Sequence, residues 1–242
     1  MILSRHDSPQ ISLKGSEAEP DQTHEPDETT ELFVTAEPDG VQDMDPLQAV
    51  KDAEEPLALF RAWLAEAAAS ELNDPNAAAL ATANWDAAPS VRMVLVKQID
   101  ERGFCFYTNS ESRKGRELAA NPRAALCFHW KSLARQVRVE GPVLELPASD
   151  ADAYFHSRSR GSQLGASVSR QSRRLESREE LERLVASYAE KFPGEVPRPQ
   201  WWKGYAIRPE RVEFWLAGDD RLHNRFAFVR KIGGWNKELL FP

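Results

Sequence analysis

The sequence predicts a mainly β, α+β fold, an antiparallel barrel with appended helices, and three observations support it. Much of the chain after residue 76 consists of short β-like runs separated by turn-prone pieces such as DERG and NPR. Helical spacing is confined to one opening segment and a few insertions. No regular strand–helix alternation exists, which argues against a doubly wound sheet. The 242 residues suffice for one sizeable core. We place it in a single domain over residues 46–242, with residues 1–45 as an appendage.

The appendage, which includes SEAEPDQTHEPDETTELFVTAEPDG, is rich in Glu, Asp, Pro and Thr and poor in large apolar residues. Such a segment buries too little surface to offset its ordering entropy, so it is expected to be disordered; a regulatory role is the alternative. Residues 45–75 then show helical spacing, with Leu57, Leu59, Phe60, Trp63 and Leu64 as an apolar stripe ended by Asn73-Asp74-Pro75. The runs AAALATAN, SVRMVLVKQI, GFCFYTN, RAALCFHW and RQVRVEGPVLEL read as strands. A short helix, SRKGRELAA, interrupts them with Ser112 as N-cap. Two further helices, ASDADAYFHSR and SREELERLVASYAEKF, flank a polar Ser/Arg/Gln-rich segment over 157–174. WWKGYAIRPERVEFWLAG, NRFAFVRK and GWNKELLF complete the strands.

Charge is divided unevenly. Residues 1–45 hold twelve acidic residues against Arg5 and Lys14, a net of −10, so the remainder carries about +3 within a total of −7. A mildly basic body suits small anionic ligands better than nucleic acid, which usually meets a stronger basic stripe. Cys105 and Cys127 lack CxxC spacing, which suggests core packing in a reducing compartment. The first thirty residues have no apolar signal-type stretch, and no apolar run approaches 18 residues. A cytoplasmic protein with no membrane partner is expected.

Several chemistries lack sequence support. There is no GxGxxG, no GxxxxGK[ST] and no GxSxG. His6, His24, His129, His156 and His223 show no metal-ligand spacing, so no metal is expected.

Five constellations of cationic and amide side chains remain. In RMVLVK, strand parity puts Arg92, Val94 and Val96 on one face and Met93, Leu95 and Lys97 on the other; a core strand with charged ends is the plain alternative. YTNSESRKGRE holds Tyr107, Thr108, Arg113 and Lys114. Two cations in a first helical turn oppose the helix dipole unless an anion sits with them, so this is either a phosphate site or a solvated basic turn. In RQVRVE, Gln136 on a half-buried strand is a weak candidate partner for a polar heterocycle. In YFHSRSRGSQ, Tyr154, Arg158 and Ser162 are four apart and would share a face if helix continued past Gly161; Arg forks readily onto phosphate. RQSRR follows, with Gln171 and Ser172. Last comes RLHNR, after Trp215. If extended, Arg221, His223 and Arg225 share one face, opposite Leu222 and Asn224. Such a row needs an anion, unless the groups pair with Asp219, Asp220 and Glu213.

Taken together, RMVLVK, FYTNSESRKGRELAANPRAAL, FHWKSLARQVRVEG, YFHSRSRGSQLGA, SRQS, GEVPRP, VEFW and RLHNR resemble the pyridoxine (pyridoxamine) 5′-phosphate oxidase family, from about Pro56 to Pro242. The resemblance implies an FMN-binding split β-barrel of antiparallel Greek-key type, a homodimer with FMN at the subunit interface. FMN is then held by Arg92, Met93, Val94, Leu95, Val96, Lys97, Tyr107, Thr108, Arg113, Lys114, Gln136, Gln171, Ser172, Trp215 and Arg225. The substrate is held by Lys97, Tyr154, Arg158, Ser162, Arg221, Leu222 and His223, with Arg221 and His223 nearest the chemistry.

The implied reaction oxidises pyridoxine 5′-phosphate or pyridoxamine 5′-phosphate to pyridoxal 5′-phosphate. Hydride passes from C4′ to N5 of FMN, and O2 reoxidises the flavin to give hydrogen peroxide. The family commonly has RPRDSQ, FWQ, RLHDR and RLAP where this chain has Ser159 and Gly161, Leu216, Asn224 and LLFP. Two alternatives are a split-barrel flavin oxidoreductase of phenazine-pathway type and a non-catalytic flavin or pyridoxal-phosphate binding module.

Overall fold

The computed structural model describes residues 45–242. The expectation of a disordered tail over 1–45 lies, Asp45 apart, outside the described residues. Two helices open the fold, α1 (Pro46–Asp52) and α2 (Pro56–Ser70). The sequence reads one helical segment here; the structure breaks it because Pro56 starts α2, with the Glu55 carboxylate accepting from Ala58 N at 2.8 Å. Strands β1 (Ala77–Ala83), β2 (Pro89–Asp100) and β3 (Gly103–Asn109) follow as a meander, then helix α3 (Arg113–Ala120) and strands β4 (Arg123–Trp130) and β5 (Arg135–Glu145). Helices α4 (Ala148–Ser157), α5 (Arg160–Val168) and α6 (Arg178–Lys191) lead to strands β6 (Trp202–Ile207), β7 (Arg211–Leu216), β8 (Asn224–Lys231) and β9 (Gly234–Leu240).

Every pairing is antiparallel, in the order β4-β1-β2-β3-β6-β5-β7-β8-β9, and β4 also pairs β5. That extra pairing closes six strands into a barrel and leaves β7, β8 and β9 as a flange on β5. The expected antiparallel barrel is therefore present. Strand β5 serves both parts: residues 135–140 lie between β4 and β7, and residues 143–145 turn to β6. Gly141 sits at that turn, where a Cβ would lie 2.0 Å from the Arg208 carbonyl oxygen. Only glycine admits so close a backbone approach.

The barrel interior is aromatic. Phe60 of α2 meets Phe104 and Phe128 with ring centroids at 4.9 and 4.8 Å, and Trp63 meets Phe214 at 5.1 Å. Helix α2 thus plugs the barrel with the stripe its spacing announced. A second cluster joins Phe155, Leu164, Val196 and Trp202 beneath α4–α6. Both cysteines are free thiols, and burial pushes Cys105 up to about 12.

Three local expectations change. The polar segment 157–174 contains helix α5, because the Ser159 hydroxyl accepts from Ser162 N and starts a new helix. Arg158 between the helices is extended, so Tyr154, Arg158 and Ser162 do not share one continuous helical face. Parity in RMVLVK also fails at its end. A bulge between Val96 and Gln98 puts both Val96 and Lys97 in buried positions. RLHNR is not extended either: Asp219–Arg221 forms a 3₁₀ turn with φ of 52° at Asp220 and 64° at Arg221, and β8 begins only at Asn224.

Candidate active site

Helix α3 enters through the Ser112 side chain, which accepts from Gly115 N at 3.2 Å. Gly115 is required there, since a Cβ would lie 2.2 Å from the Ser110 carbonyl oxygen. This tight entry sets Lys114 against β3. Its Nζ donates to Thr108 Oγ1 and to Gln171 Oε1, each at 3.1 Å. Both acceptors are neutral. Burial, reinforced by the Arg92 charge, pushes the Lys114 ammonium down to about 8. A buried ammonium on neutral oxygens is where an anionic ligand gains most.

Glu117, one turn further along α3 and 6% exposed, receives Thr82 Oγ1 at 2.5 Å, Ser90 Oγ at 2.6 Å, Arg113 Nε at 2.9 Å and Arg92 Nη2 at 3.3 Å. Burial alone would raise its carboxyl, but these donors hold it at about 2. Arg92 also donates to Thr82 and Ser90.

Beside this cradle, Tyr107 stacks on Tyr154 at 4.2 Å, and the Arg158 guanidinium lies 4.4 Å from the centre of the Trp202 ring. Tyr107 donates its hydroxyl proton to Gln98 Oε1 at 3.1 Å, and burial pushes its pKa up to about 12. A cleft of about 720 Å³ is lined by Tyr107, Thr108, Arg158, Ser162, Gln171 and Trp202 among others. Tyr107, Thr108, Arg158, Ser162 and Gln171, distant in sequence, therefore meet in one place. Ser172 follows Gln171 with φ of 69° and is exposed.

The other predicted residues gather on the flange. Gln136 pairs with Trp215 across β5–β7, and Trp215 with Arg225 across β7–β8, so the three lie in one cross-strand row. The Trp215 and His223 rings are 4.6 Å apart. Gly218 N donates to His223 Nδ1 at 3.1 Å, which leaves the proton of the neutral ring on Nε2. Arg225 donates to Glu213 Oε1 at 2.9 Å and to the Phe241 carbonyl at 2.8 Å. Glu213 is 2% exposed and is also paired with Arg138. Its pairing with Arg225 is the alternative the sequence left open for RLHNR. Arg221 and Leu222 are exposed in the turn before β8. On β2, Met93 is 63% exposed, while Val94 and Leu95 are half-buried.

Sequence reasoning missed Gln98, Glu117 and Trp202. Glu117 alone carried a readable signal, its i,i+4 spacing from Arg113.

The chain matches the family described as "Pyridoxamine 5'-phosphate oxidase" over residues 64–216. It belongs to the pyridoxamine 5′-phosphate oxidase family. Residues 202–242 match the "Pyridoxine 5'-phosphate oxidase C-terminal dimerisation region". Proteins named pyridoxine/pyridoxamine 5′-phosphate oxidase from Brucella canis and Brucella suis are 56% identical over 191 residues, covering 78% of this chain and 94% of theirs. PhzG from Burkholderia lata 383, solved with tetrahydrophenazine-1-carboxylic acid, is 34% identical with a TM-score of 0.77, over 84% of this chain and 100% of that one. A pyridoxamine 5′-phosphate oxidase-related, FMN-binding protein from Nostoc punctiforme shares the fold at 17% identity and a TM-score of 0.61, over 76% of this chain and 97% of that one. The chain is an oxidoreductase. Among the described residues, no helix is long and apolar enough to cross a membrane.

Proposed function

We propose that this chain oxidises pyridoxine 5′-phosphate or pyridoxamine 5′-phosphate to pyridoxal 5′-phosphate, using FMN and O2, as a homodimer with FMN at the subunit interface. The observation that carries the reading is Lys114, a buried ammonium on neutral acceptors beside an aromatic cleft that also holds Arg158 and Ser162.

The residues fit FMN. Lys114, Arg92 and Arg113 supply cations for its phosphate, with Thr108, Gln171 and Ser172 as polar neighbours and Tyr107 alongside. The β2 run from Met93 to Lys97 offers the backbone and side chains of one wall, and Gln136, Trp215 and Arg225 form a row suited to a flat polar ring. When bound, FMN supplies the acceptor for the hydride at C4′ of the substrate and returns its electrons to O2 as hydrogen peroxide.

The chain's own groups bind and orient. Lys97, Tyr154, Arg158 and Ser162 hold the substrate phosphate, the guanidinium through its paired N–H groups. Arg221, Leu222 and His223 close over the pyridine ring, with His223 offering its Nε2 proton as a hydrogen-bond donor. Holding C4′ in place contributes several kcal/mol of barrier reduction, on the order of what oriented reactions gain. The division of the site supports the dimer: the cradle lies on β2, β3, α3 and the turn after α5, and the ring row lies on the flange. A second copy would bring one group to the other, covering Val91 and Met93, now 67% and 63% exposed.

The test is purified protein assayed for flavin absorbance, peroxide and pyridoxal 5′-phosphate with each substrate. Bound flavin that neither substrate reduces would sink the reading. The resemblance to PhzG favours a second reading, a flavin oxidoreductase acting on a reduced phenazine precursor. Turnover of such a compound, with neither B6 phosphate oxidised, would select it.

A further inference from the structure

Glu117 has no place among the residues expected to touch cofactor or substrate, yet four donors from three elements converge on it. Thr82 comes from β1, Ser90 and Arg92 from β2, and Arg113 from α3 itself. A buried carboxylate is a weak stabiliser when its desolvation is counted, so packing alone is a poor reason to keep it. Its geometry suggests another. Arg113 uses Nε on Glu117, and the terminal nitrogens of a guanidinium are the pair that forks onto phosphate. Arg92 spends both terminal nitrogens on the carboxylate, on the two hydroxyls that the same carboxylate orients and on the Leu80 carbonyl, so it adds charge and no fork. Lys114 follows Arg113 in the first turn of α3 and feels the Arg92 charge. Three cations against one carboxylate leave a surplus of two, which matches a phosphate monoester carrying about −1.5 to −2 at neutral pH.

We infer that Glu117 is a positioning residue of the cofactor cradle. It fixes Arg92 and Arg113 beside Lys114, and so sets the preference for a phosphorylated flavin over an unphosphorylated one. The inference rests on the reading that this cradle takes the FMN phosphate.

Charge and position predict opposite signs, which makes the inference testable. Removing a negative charge without moving the arginines tightens phosphate binding. Releasing the arginines weakens it. The full chain, stripped of flavin, is titrated with FMN and separately with riboflavin while flavin fluorescence is followed. For E117Q the FMN Kd should rise about tenfold or more, equivalent to ~1.4 kcal/mol, while the riboflavin Kd stays within about twofold. E117D, which keeps the charge, should recover part of the loss. Unchanged or tighter FMN binding in E117Q overturns the inference, and so does equal weakening of both flavins, the mark of a merely structural role.

If E117Q does not fold, Thr82→Val and Ser90→Ala release the carboxylate more gently and should each lower the riboflavin-to-FMN Kd ratio. An unchanged ratio in both overturns the inference. Lys114→Met separates the two levels. If it leaves the ratio untouched, the cradle is not the phosphate site and the proposed cofactor arrangement falls. If it collapses the ratio while E117Q does not, only the role of Glu117 falls.

Discussion

On the α3 side of the candidate site, Glu117 gathers Arg92 and Arg113 but leaves Lys114 on neutral oxygens, its ammonium pushed down to about 8 by burial. On the flange, Glu213 gathers Arg138 and Arg225, and the Arg225 guanidinium is pushed up by its hydrogen bond to that carboxylate. One region is short of negative charge; the other contains its own. By letters alone RLHNR is the more cationic motif, yet the lowered cation is in SRK. Density of basic residues therefore locates an anion site less well than the solvation of each cation does.

The contrast can be broken by exchanging the roles. The largest effect should come from Glu213→Ala, which leaves Arg138, Arg211 and Arg225 without their buried carboxylate. A loss of about 3 kcal/mol is expected, at the lower end of the range because all three arginines are partly exposed, read as a lowered denaturation midpoint. Lys114→Met should act in the opposite direction on the flavin-free protein, raising its stability, while FMN affinity falls about 100-fold through loss of charged hydrogen bonds.

The same lysine gives a pH dependence. Its folded pKa of about 8 lies below the ordinary 10.5, so between these values the unfolded chain binds the extra proton. Its contribution to stability therefore rises with pH across that window. FMN binding should weaken above pH 8, and the wild type minus Lys114→Met difference in melting temperature should shrink from pH 8 to 10. A flat difference would remove Lys114 from the cradle. Arg221→Ala should lower kcat/KM by about 10- to 100-fold, the scale of a lost orienting contact, with flavin content unchanged. Flavin loss would move Arg221 to the cofactor. The smallest effect is Ser159→Ala. The Ser159 hydroxyl caps α5 and donates to Ser162 Oγ at 3.0 Å, so about 0.5–1 kcal/mol of stability and a modest rise in KM are expected.

Much of this architecture was legible because it is local. Alternation marked the strands, and Ser112 marked α3. Most of what was not legible depends on distant chain, with one local exception. Arg158 interrupts a helical pattern because Ser159 caps the next helix, a short-range choice that letters leave open. The positive φ of Arg221 accompanies the close approach of Gly218 to Leu222, where a Cβ would lie 2.3 Å from the carbonyl oxygen. The row Gln136–Trp215–Arg225 exists only once β5, β7 and β8 are in register. Glu117 shows Arg113 in the sequence, but Thr82 and Ser90 reach it only through the β1–β2 hairpin.

One contact made late in the chain bears on synthesis. Lys237 of β9 donates to the carbonyls of Val50 at 3.2 Å, Lys51, and Ala53 at 2.8 Å, capping the carboxyl end of α1. The first described helix is tied down by the last described strand, 184 to 187 residues further along the chain. A nascent chain stalled before residue 237 holds α1 without its clasp, and a loop of that length closes slowly. Docking of α1 thus waits on β9, and a protease that removes β9 would loosen α1.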